Sequence, residues 1–154
     1  MDALFPGSFD PLTLGHYDII KRAQELFEKV YIAIGINIAK PRYFEVGICL
    51  KMIEEVFKDD PGVNAITYEG LTAELCKNLN VKYIIRGIRN VGDFEYERSM
   101  AEMNRHLLPD IETIFFNTRP EFAYISSSNI RDLLSAGSDV SDFVPKEILQ
   151  FITK

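Results

Sequence analysis

Residues 5–16 read Phe-Pro-Gly-Ser-Phe-Asp-Pro-Leu-Thr-Leu-Gly-His, and this stretch indicates the fold more directly than any other part of the chain. The apolar residues 3–5 predict a short strand that ends at a Pro-Gly break, and residues 13–16 open a predicted helix. A strand that leads through a glycine-containing loop into a helix N-terminus binds anionic phosphate, because free backbone N–H groups point at the ligand. His16 adds a side-chain donor, and Gly15 lacks the Cβ that would hold a ligand away. The alternative is a plain strand-turn-helix corner in which His16 only caps the helix.

Beyond this stretch, runs typical of strands alternate with runs typical of helices. The predicted strands are 2–5, 30–36, 63–68, 81–85 and 111–116, and the predicted helices are 16–28, 50–57, 71–79, 93–107 and 126–135, followed by two short C-terminal helices. Strands that alternate with helices form right-handed βαβ units. The sequence therefore predicts an α/β fold, a doubly wound five-stranded parallel sheet with C-terminal helices, in one domain of residues 1–154.

Composition limits the class of protein. A chain of 154 residues with 47% apolar residues suffices for one domain with a core and is too short for two. No apolar run approaches the roughly 20 residues of a membrane span, and no basic and apolar leader begins the chain. We therefore expect a cytoplasmic protein without a membrane partner, in which Cys49 and Cys76 are reduced and pack in the core.

The distribution of charge indicates the kind of ligand. The net charge of −6 disfavours non-specific binding of nucleic acid. Four basic residues nevertheless fall at or just after the ends of apolar runs: Lys40, Arg42, Arg86 and Arg89. Ligands of open α/β sheets bind at such strand ends. An acidic protein with a local basic pocket favours a small phosphorylated substrate.

Two further segments have the chemistry of phosphate binding. Arg86 and Arg89 stand three positions apart around a glycine, and guanidinium groups bind phosphate oxygens bidentately while remaining charged. Residues 126–128 are three serines at a predicted helix start, where hydroxyls and free N–H groups suit a triphosphate, and Arg131 follows them. The alternatives are a solvated loop with surface arginines and an ordinary serine cap.

Together, residues 5–16, 85–97 and 122–131 resemble the phosphopantetheine adenylyltransferase family of the T/HxGH nucleotidyltransferase superfamily. The matching motifs are Pro-Gly-Ser-Phe-Asp-Pro before Gly-His, Arg-Gly-Ile-Arg with Asp-Phe-Glu-Tyr-Glu, and Ile-Ser-Ser-Ser before an arginine. The resemblance implies a Rossmann-like nucleotidyltransferase fold and adenylyl transfer from ATP to 4′-phosphopantetheine, giving dephospho-coenzyme A and pyrophosphate. It also implies Mg²⁺ delivered with ATP rather than held by the protein, and a homohexamer or another trimer-based assembly.

The same resemblance assigns residues. His16 would be catalytic, donating to an α-phosphate oxygen in the transition state. The residues implied for ATP binding are Ser8, Phe9, His16, Gly87, Ile88, Arg89, Glu97, Phe122, Ala123, Tyr124, Ile125, Ser126, Ser127, Ser128 and Arg131. The residues implied for 4′-phosphopantetheine binding are Ser8, Lys40, Leu71, Thr72, Arg86 and Asn104. No protein ligand of a metal is implied, and His106 is expected on a helix surface.

The chain departs from the family pattern just after Phe44. Where the family has Leu-(Asp/Glu)-Glu-Arg leading into a helix, residues 46–49 are Val-Gly-Ile-Cys, and the glycine weakens a helix by ~1 kcal/mol relative to alanine. Ile48 and Met52 are expected to form a second apolar stripe that a helix burying one face leaves exposed. Because an exposed apolar patch indicates a protein contact, segment 45–53 is a candidate for an altered or additional interface.

Rival functions remain open at this point. A sibling nucleotidyltransferase would act on nicotinate mononucleotide, or on glycerol 3-phosphate with CTP, although the cytidylyltransferase motif Arg-Thr-x-Gly-Ile-Ser is missing. A non-catalytic or engineered assembly subunit that keeps this fold is a rival of a different class, supported by segment 45–49. A nucleic-acid-binding module is disfavoured by the acidic charge.

Overall fold

The computed structural model describes residues 1–152, in which five parallel strands form one sheet. The strands are β1 (Asp2–Gly7), β2 (Lys29–Gly35), β3 (Val63–Tyr68), β4 (Tyr83–Ile88) and β5 (Glu112–Asn117). Their order in the sheet is β3-β2-β1-β4-β5, so the chain adds strands on one side of β1 and then crosses to the other. This order confirms the predicted doubly wound α/β sheet. The winding reverses between β1 and β4, and ligands of such sheets bind at that point, beyond the carboxyl ends of the strands.

Helices connect the strands. They are α1 (Leu14–Ala23), α2 (Val46–Val56), α3 (Thr72–Leu79), α4 (Val91–Leu107), α5 (Ser127–Ser135) and α6 (Leu149–Ile152), with short 3₁₀ turns at Pro120–Phe122 and Lys146–Ile148. Within residues 1–152, none of the helices combines the length and the apolar character needed to cross a bilayer.

The sheet has a core on each face, because successive residues of a strand point to opposite sides. On one face, Phe5 and Ile32 pack with the buried sides of α1, α2 and the C-terminal segment. On the other face, Leu4 and Ala33 pack with Ala73 of α3. Burial on both faces explains why the central strands read as continuous apolar runs instead of alternating ones.

Helix α2 begins four residues earlier than the sequence predicts, and its apolar side chains are more completely covered. Met52 is fully buried together with Cys49 and Ile53, and Ile48 packs partly buried against the same core. The expectation that Ile48 and Met52 form an exposed stripe is therefore wrong. The physical reason is that the 3₁₀ turn Lys146–Ile148 also packs against α2, which gives the helix neighbours on two sides.

Several other boundaries differ from the prediction, including those of α1, β4 and α4. Helix α1 ends at Ala23 because the following segment turns Phe27 into the core. Strand β4 continues to Ile88, so Arg86 lies within the strand and not past its end. Helix α4 begins two residues early because Asn90, and not the predicted residue 93, is its N-cap.

Candidate active site

His16 lies in the first turn of α1, where it takes part in a capping box. Thr13 is the N-cap: its Oγ1 accepts the His16 backbone N–H at 3.3 Å, and its own N–H donates to Nδ1 of His16 at 3.0 Å. Glutamate or glutamine commonly makes the second of these bonds. Here an imidazole makes it, so this capping box fixes the orientation of a ring that stands at the carboxyl end of the sheet.

The hydrogen bond to Nδ1 determines the state of the His16 ring. Because a backbone N–H donates to it, Nδ1 is unprotonated and the neutral ring holds its proton on Nε2. Burial, and next the nearby positive charges of Arg86 and Arg89, lower the pKa of His16 to about 3. His16 is therefore a neutral Nε2–H donor at neutral pH, and not an imidazolium.

Two aromatic rings hold the imidazole from other sides. Phe9 and Phe5 pack edge-on against His16, with ring centroids at 5.0 and 6.1 Å. Phe9 is buried and has a φ of +45°, a left-handed conformation that costs energy for a residue with a side chain. Gly7 makes room for this ring, since a Cβ at that position would lie 3.1 Å from it. The strained backbone thus supports the packing of the ring beside His16.

A cavity of about 290 Å³, which we call the His16 cavity, opens at the carboxyl ends of β1 and β4. The following residues predicted for ATP binding line it: Ser8, Phe9, His16, Gly87, Arg89, Glu97, Ile125, Ser126, Ser127, Ser128 and Arg131. The guanidinium of Arg89 donates to Asp93 at 3.0 Å, which fixes it at the rim. The three separate sequence segments therefore converge on one cavity.

Four residues predicted for ATP binding lie outside this lining. Ile88, Phe122 and Ala123 are half-buried elsewhere, and Tyr124 is 64% exposed, with its ring against Phe143 in a separate apolar groove. The structure does not bring these four side chains to the cavity wall, so their contact with ATP stays a prediction.

The N-terminus of α5 forms one wall of the His16 cavity. Ser126 is its N-cap and accepts the Asn129 N–H at 3.1 Å, while the Ser127 hydroxyl donates to the Pro11 carbonyl at 2.8 Å. Of the three predicted hydroxyls, only that of Ser128 has no hydrogen-bond partner within residues 1–152. The first N–H groups of a helix have no intrahelical acceptor. The main chain of α5, more than its serine hydroxyls, is therefore the candidate for binding an anion.

A second cavity of about 350 Å³, which we call the Lys40 cavity, extends from the end of β1 along α4. Five residues predicted for phosphopantetheine binding line it: Ser8, Lys40, Thr72, Arg86 and Asn104. The sixth, Leu71, does not line it, because it stands at the N-cap of α3 with a 51% exposed side chain.

The charges of the Lys40 cavity favour an anionic ligand. Its lining includes the cationic side chains of Lys40, Arg42, Arg86 and Arg131, against the carboxylates of Asp10 and Glu97. Because the cationic side chains outnumber the carboxylates, the lining carries net positive charge, which a bound phosphate group would neutralise.

Glu97 has a partner that the sequence did not indicate. Arg86 donates to it through two nitrogens, from Nε to Oε2 at 2.8 Å and from Nη2 to Oε1 at 2.6 Å. Nη1 of Arg86 also donates to the Pro6 carbonyl. Both carboxylate oxygens of Glu97 thus fix the guanidinium of Arg86, and a direct contact of Glu97 with the nucleotide stays a prediction.

The two cavities meet. Ser8, Arg86 and Arg131 belong to the lining of both. Arg131 reaches this junction from α5 and is held there by its Nη1, which donates to the Asp10 carbonyl at 2.9 Å. A ligand phosphate in one cavity would therefore lie beside a ligand phosphate in the other, with the same cations facing both.

Sequence reasoning missed two residues of the Lys40 cavity, Asp10 and Arg42. The carboxylate of Asp10 is buried and accepts the N–H groups of Tyr43 and Phe44 at 2.8 and 2.9 Å. The guanidinium of Arg42 donates to the Ser8 carbonyl at 2.6 Å. The sequence signalled Asp10 only as part of a turn and Arg42 only as one of several basic residues near strand ends. His106, by contrast, is exposed on α4 as predicted.

Two cationic cavities that meet beside a neutral imidazole donor suit direct transfer between two phosphate compounds, in which the protein supplies position and charge. Residues 4–133 match the family model described as cytidylyltransferase-like. The fold and the site thus define a nucleotidyltransferase of this class.

Curated relatives narrow the class. A phosphopantetheine adenylyltransferase of Flavobacterium psychrophilum is 51% identical over 146 residues, which are 95% of this chain and 96% of that protein. One of Lachnoclostridium phytofermentans is 42% identical over 149 residues, which are 97% of this chain and 91% of that protein. The chain belongs to the phosphopantetheine adenylyltransferase family.

A solved structure supports the fold independently. It is a bifunctional NMN adenylyltransferase/ADP ribose pyrophosphatase from Francisella tularensis, similar to this chain with a TM-score of 0.76 at 19% sequence identity. The match covers 99% of this chain and 48% of that one, so this chain spans about half of that protein's length. At this identity the likeness shows the fold alone.

Proposed function

We propose that this chain transfers the adenylyl group of ATP to 4′-phosphopantetheine, giving dephospho-coenzyme A and pyrophosphate, with residues 1–154 as one nucleotidyltransferase domain. The observation that carries the proposal is the shared lining of the His16 cavity and the Lys40 cavity by Ser8, Arg86 and Arg131. The names of relatives that are 42–51% identical over nearly the whole chain support it.

The proposed reaction is a direct in-line displacement. An oxygen of the acceptor phosphate attacks the α-phosphorus of ATP, a new P–O bond forms, and the bond to the bridging oxygen of the β-phosphate breaks. Pyrophosphate leaves with that electron pair. Because a phosphate monoester is already anionic near neutral pH, the step needs no strong general base. Most of the catalysis would come from positioning and charge stabilisation.

His16 would donate its Nε2–H to a non-bridging oxygen of the α-phosphate, where charge develops in the transition state. The ring is neutral, oriented through Nδ1 and packed by Phe9, so the donor would be in place before the reaction begins. Ser8, Lys40 and Arg86 would hold the acceptor phosphate in the Lys40 cavity.

The triphosphate would lie in the His16 cavity against the N-terminus of α5. Arg89 and Arg131 line that wall with the Ser128 hydroxyl, and they match the charge of the β- and γ-phosphates. Thr72 and Asn104 line the part of the Lys40 cavity that would take the pantetheine arm, whose amide groups match their polar side chains.

Mg²⁺ would arrive bound to the triphosphate, where it neutralises phosphate charge. The carboxylates of the His16 cavity support this arrangement, because Asp93 accepts from Arg89 and Glu97 pairs with Arg86. Phosphate oxygens and water are then the ligands that remain for the ion, as is common for Mg²⁺.

A homohexamer or another trimer-based assembly in the cytoplasm completes the proposal. Four side chains spaced along one face of α4 are exposed and apolar: Tyr96 at 64%, Met100 at 42%, Met103 at 57% and Leu107 at 47%. The first two also line the Lys40 cavity, so the stripe begins at the edge of that cavity. Such a stripe favours a protein contact. It replaces segment 45–53 as the proposed surface, because the apolar residues of that segment pack into the core.

The alternatives are less well supported. The assembly-subunit hypothesis rested on segment 45–49, whose Cys49 is buried. The sibling nucleotidyltransferases lack support from the relatives, which bear the phosphopantetheine adenylyltransferase name at 51% and 42% identity.

The experiment that tests the proposal follows the adenylyl group. Protein is incubated with ATP labelled in its α-phosphate, Mg²⁺ and 4′-phosphopantetheine, and the products are separated. Label in a product with the mass of dephospho-coenzyme A supports the proposal. Label that stays in ATP, while the folded protein still binds ATP, contradicts it.

A further inference from the structure

We propose that Arg42 is a positioning residue for the acceptor phosphate, which clasps segment 40–44 to segment 8–10 and so fixes Lys40 and Ser8 relative to each other. The inference deepens the function proposed above and rests on it. Arg42 stands in the lining of the Lys40 cavity, but neither the sequence motifs nor the reaction steps above give it a task.

The contacts of the guanidinium define the clasp. Nη2 of Arg42 donates to the Ser8 carbonyl at 2.6 Å, and Nε donates to the Phe44 carbonyl at 3.1 Å. One planar group therefore bridges the loop after β1 and the loop before α2. A guanidinium has donors on separate nitrogens in a fixed fork, so it holds two carbonyls at a set separation, as a single ammonium does not.

Asp10 forms the other half of the clasp. Its buried carboxylate accepts the N–H groups of Tyr43 and Phe44 at 2.8 and 2.9 Å. Arg42 thus ties the loop through a main-chain carbonyl of segment 8–10, and Asp10 ties it through a side chain of the same segment. Segment 40–44 therefore donates both to a main-chain carbonyl and to a side-chain carboxylate of segment 8–10. These two separate ties fix the orientation of one loop relative to the other.

The position of Lys40 depends on this clasp because the loop that carries Lys40 makes few other hydrogen bonds to the rest of the protein. The N–H groups of Ala39 and Lys40 bond to Asn37 within the same loop, at 3.1 Å each. Within residues 1–152, no hydrogen bond from residues 37–41 reaches another element. The loop is exposed, with Ile38 at 96%, so packing does not restrain it either. After the Ile36 N–H, which donates to the Tyr68 carbonyl at 2.8 Å, the next residue that ties this loop to another element is Arg42, two residues beyond Lys40.

Cys49 completes the arrangement from α2. Its sulfur accepts from Nη2 of Arg42 at 3.3 Å, and its thiol donates to Oδ1 of Asp10 at 3.9 Å. Burial raises the pKa of the Cys49 thiol, so it stays neutral between the cation and the carboxylate.

The test compares Arg42→Met with Arg98→Met, a matched loss of an arginine whose side chain is 65% exposed on α4 and pairs with Glu102. The Michaelis constants for 4′-phosphopantetheine and for ATP are measured separately, with kcat. We expect Arg42→Met to raise the acceptor KM about tenfold, the size of one lost charge-assisted hydrogen bond, and to change the ATP KM less than about twofold. Arg98→Met should change neither of the two Michaelis constants.

Arg42→Lys separates bridging from charge. Because one ammonium does not span both carbonyls, we expect its acceptor KM to lie between those of the wild type and Arg42→Met. A lysine variant with the wild-type acceptor KM would mean that charge alone is needed, and this overturns the clasp. The lysine variant also decides the question if Arg42→Met fails to fold.

The outcomes distinguish the inference from the proposed function. A wild-type protein without phosphopantetheine-dependent turnover refutes the function and the inference with it. An active wild type whose Arg42→Met variant keeps its acceptor KM, or loses ATP and acceptor binding equally, refutes the inference alone. A selective rise of the acceptor KM supports both.

Discussion

The backbone N–H of Thr13 donates to Nδ1 of His16 at 3.0 Å, and this contact fixes the protonation of the ring. With Nδ1 taken as an acceptor, the proton of the neutral imidazole resides on Nε2. Thr13, which caps α1, therefore also leaves the Nε2–H of His16 available as the donor of the proposed reaction. The sequence offered capping and catalysis as alternatives for His16, and the observed capping geometry is compatible with the proposed catalytic role.

Replacing His16 tests its proposed role. We expect His16→Ala to lower kcat by about 10²–10³-fold, the usual loss for one preorganised donor, and to change the Kd of ATP little. Steady-state kinetics and calorimetric titration with ATP measure the two quantities. His106→Ala, a change on the exposed face of α4, is the control and should leave both unchanged. An unchanged kcat in His16→Ala would remove His16 from the mechanism.

The neutral state of His16 also affects stability. Its pKa is about 3 in the fold against 6.5 for a free histidine, so between these values the unfolded chain takes up a proton that the folded chain does not. Stability must therefore fall as the pH drops below 6.5, by at most about 1.4 kcal/mol per pH unit from this group. The free energy of unfolding of the wild type should approach that of His16→Ala as the pH drops from 7 to 5. A difference that is independent of pH contradicts the lowered pKa of the His16 ring.

Gly15 and Gly47 form a matched pair of helix glycines. A Cβ at Gly15 would meet the nearest protein atoms at 3.5 and 3.7 Å, which is ordinary contact, so Gly15→Ala should fold normally. We expect it to raise the ATP KM about tenfold if ligand atoms approach that backbone. Gly47→Ala enters open space and should raise the free energy of unfolding by about 0.5–1 kcal/mol, with kinetic constants unchanged. An unaltered ATP KM in Gly15→Ala would place the nucleotide elsewhere.

Glu97→Gln tests whether Glu97 acts through Arg86. The amide keeps the shape of the side chain but removes the charge that two nitrogens of Arg86 contact at 2.8 and 2.6 Å. We expect the acceptor KM to rise several-fold, by the loss of one charge-assisted bond, with a smaller change in the ATP KM. Steady-state kinetics with each substrate varied in turn make the comparison. A selective loss of ATP binding would instead favour the direct nucleotide contact that the sequence implied.

The stripe on α4 gives a prediction about assembly. Met103→Glu places a charge at the middle of the stripe without touching the cavity lining, so we expect the mass by light scattering to fall to that of a smaller species. Leu26→Glu, at a similarly exposed but separate position, should leave the mass unchanged. A wild-type mass equal to one chain, or an unchanged mass in Met103→Glu, would contradict α4 as the interface.

Much of the fold follows from local signals. The end of α3 at Leu79, before Asn80 in the left-handed region, and the start of α5 after the Ser126 cap are short-range features, and both agree with the predicted helices 71–79 and 126–135. Met52 is different, because its burial depends on the C-terminal turn that packs against α2 roughly a hundred residues later in the chain. The hydrophobic periodicity of α2 alone does not predict a neighbour that is so distant in sequence.

The same distinction applies to the candidate site. His16, Arg86 and Ser126 belong to contiguous motifs whose residue types carry the chemistry, so the sequence indicated them. The tie between Arg42 and Ser8 spans 34 positions and runs to a main-chain carbonyl, which no choice of side chain at Ser8 could reveal. The sequence did not indicate the pairing of Arg86 with Glu97, because Arg86 was assigned to 4′-phosphopantetheine and Glu97 to ATP.

The most direct test of the account measures pyrophosphate release with ATP and Mg²⁺, comparing 4′-phosphopantetheine with nicotinate mononucleotide as the acceptor. The account predicts rapid release that depends on 4′-phosphopantetheine and that His16→Ala slows by about 10²–10³-fold. Equal or faster release with nicotinate mononucleotide, or no release from folded protein that binds ATP, would contradict adenylyl transfer to phosphopantetheine at the junction of the two cavities.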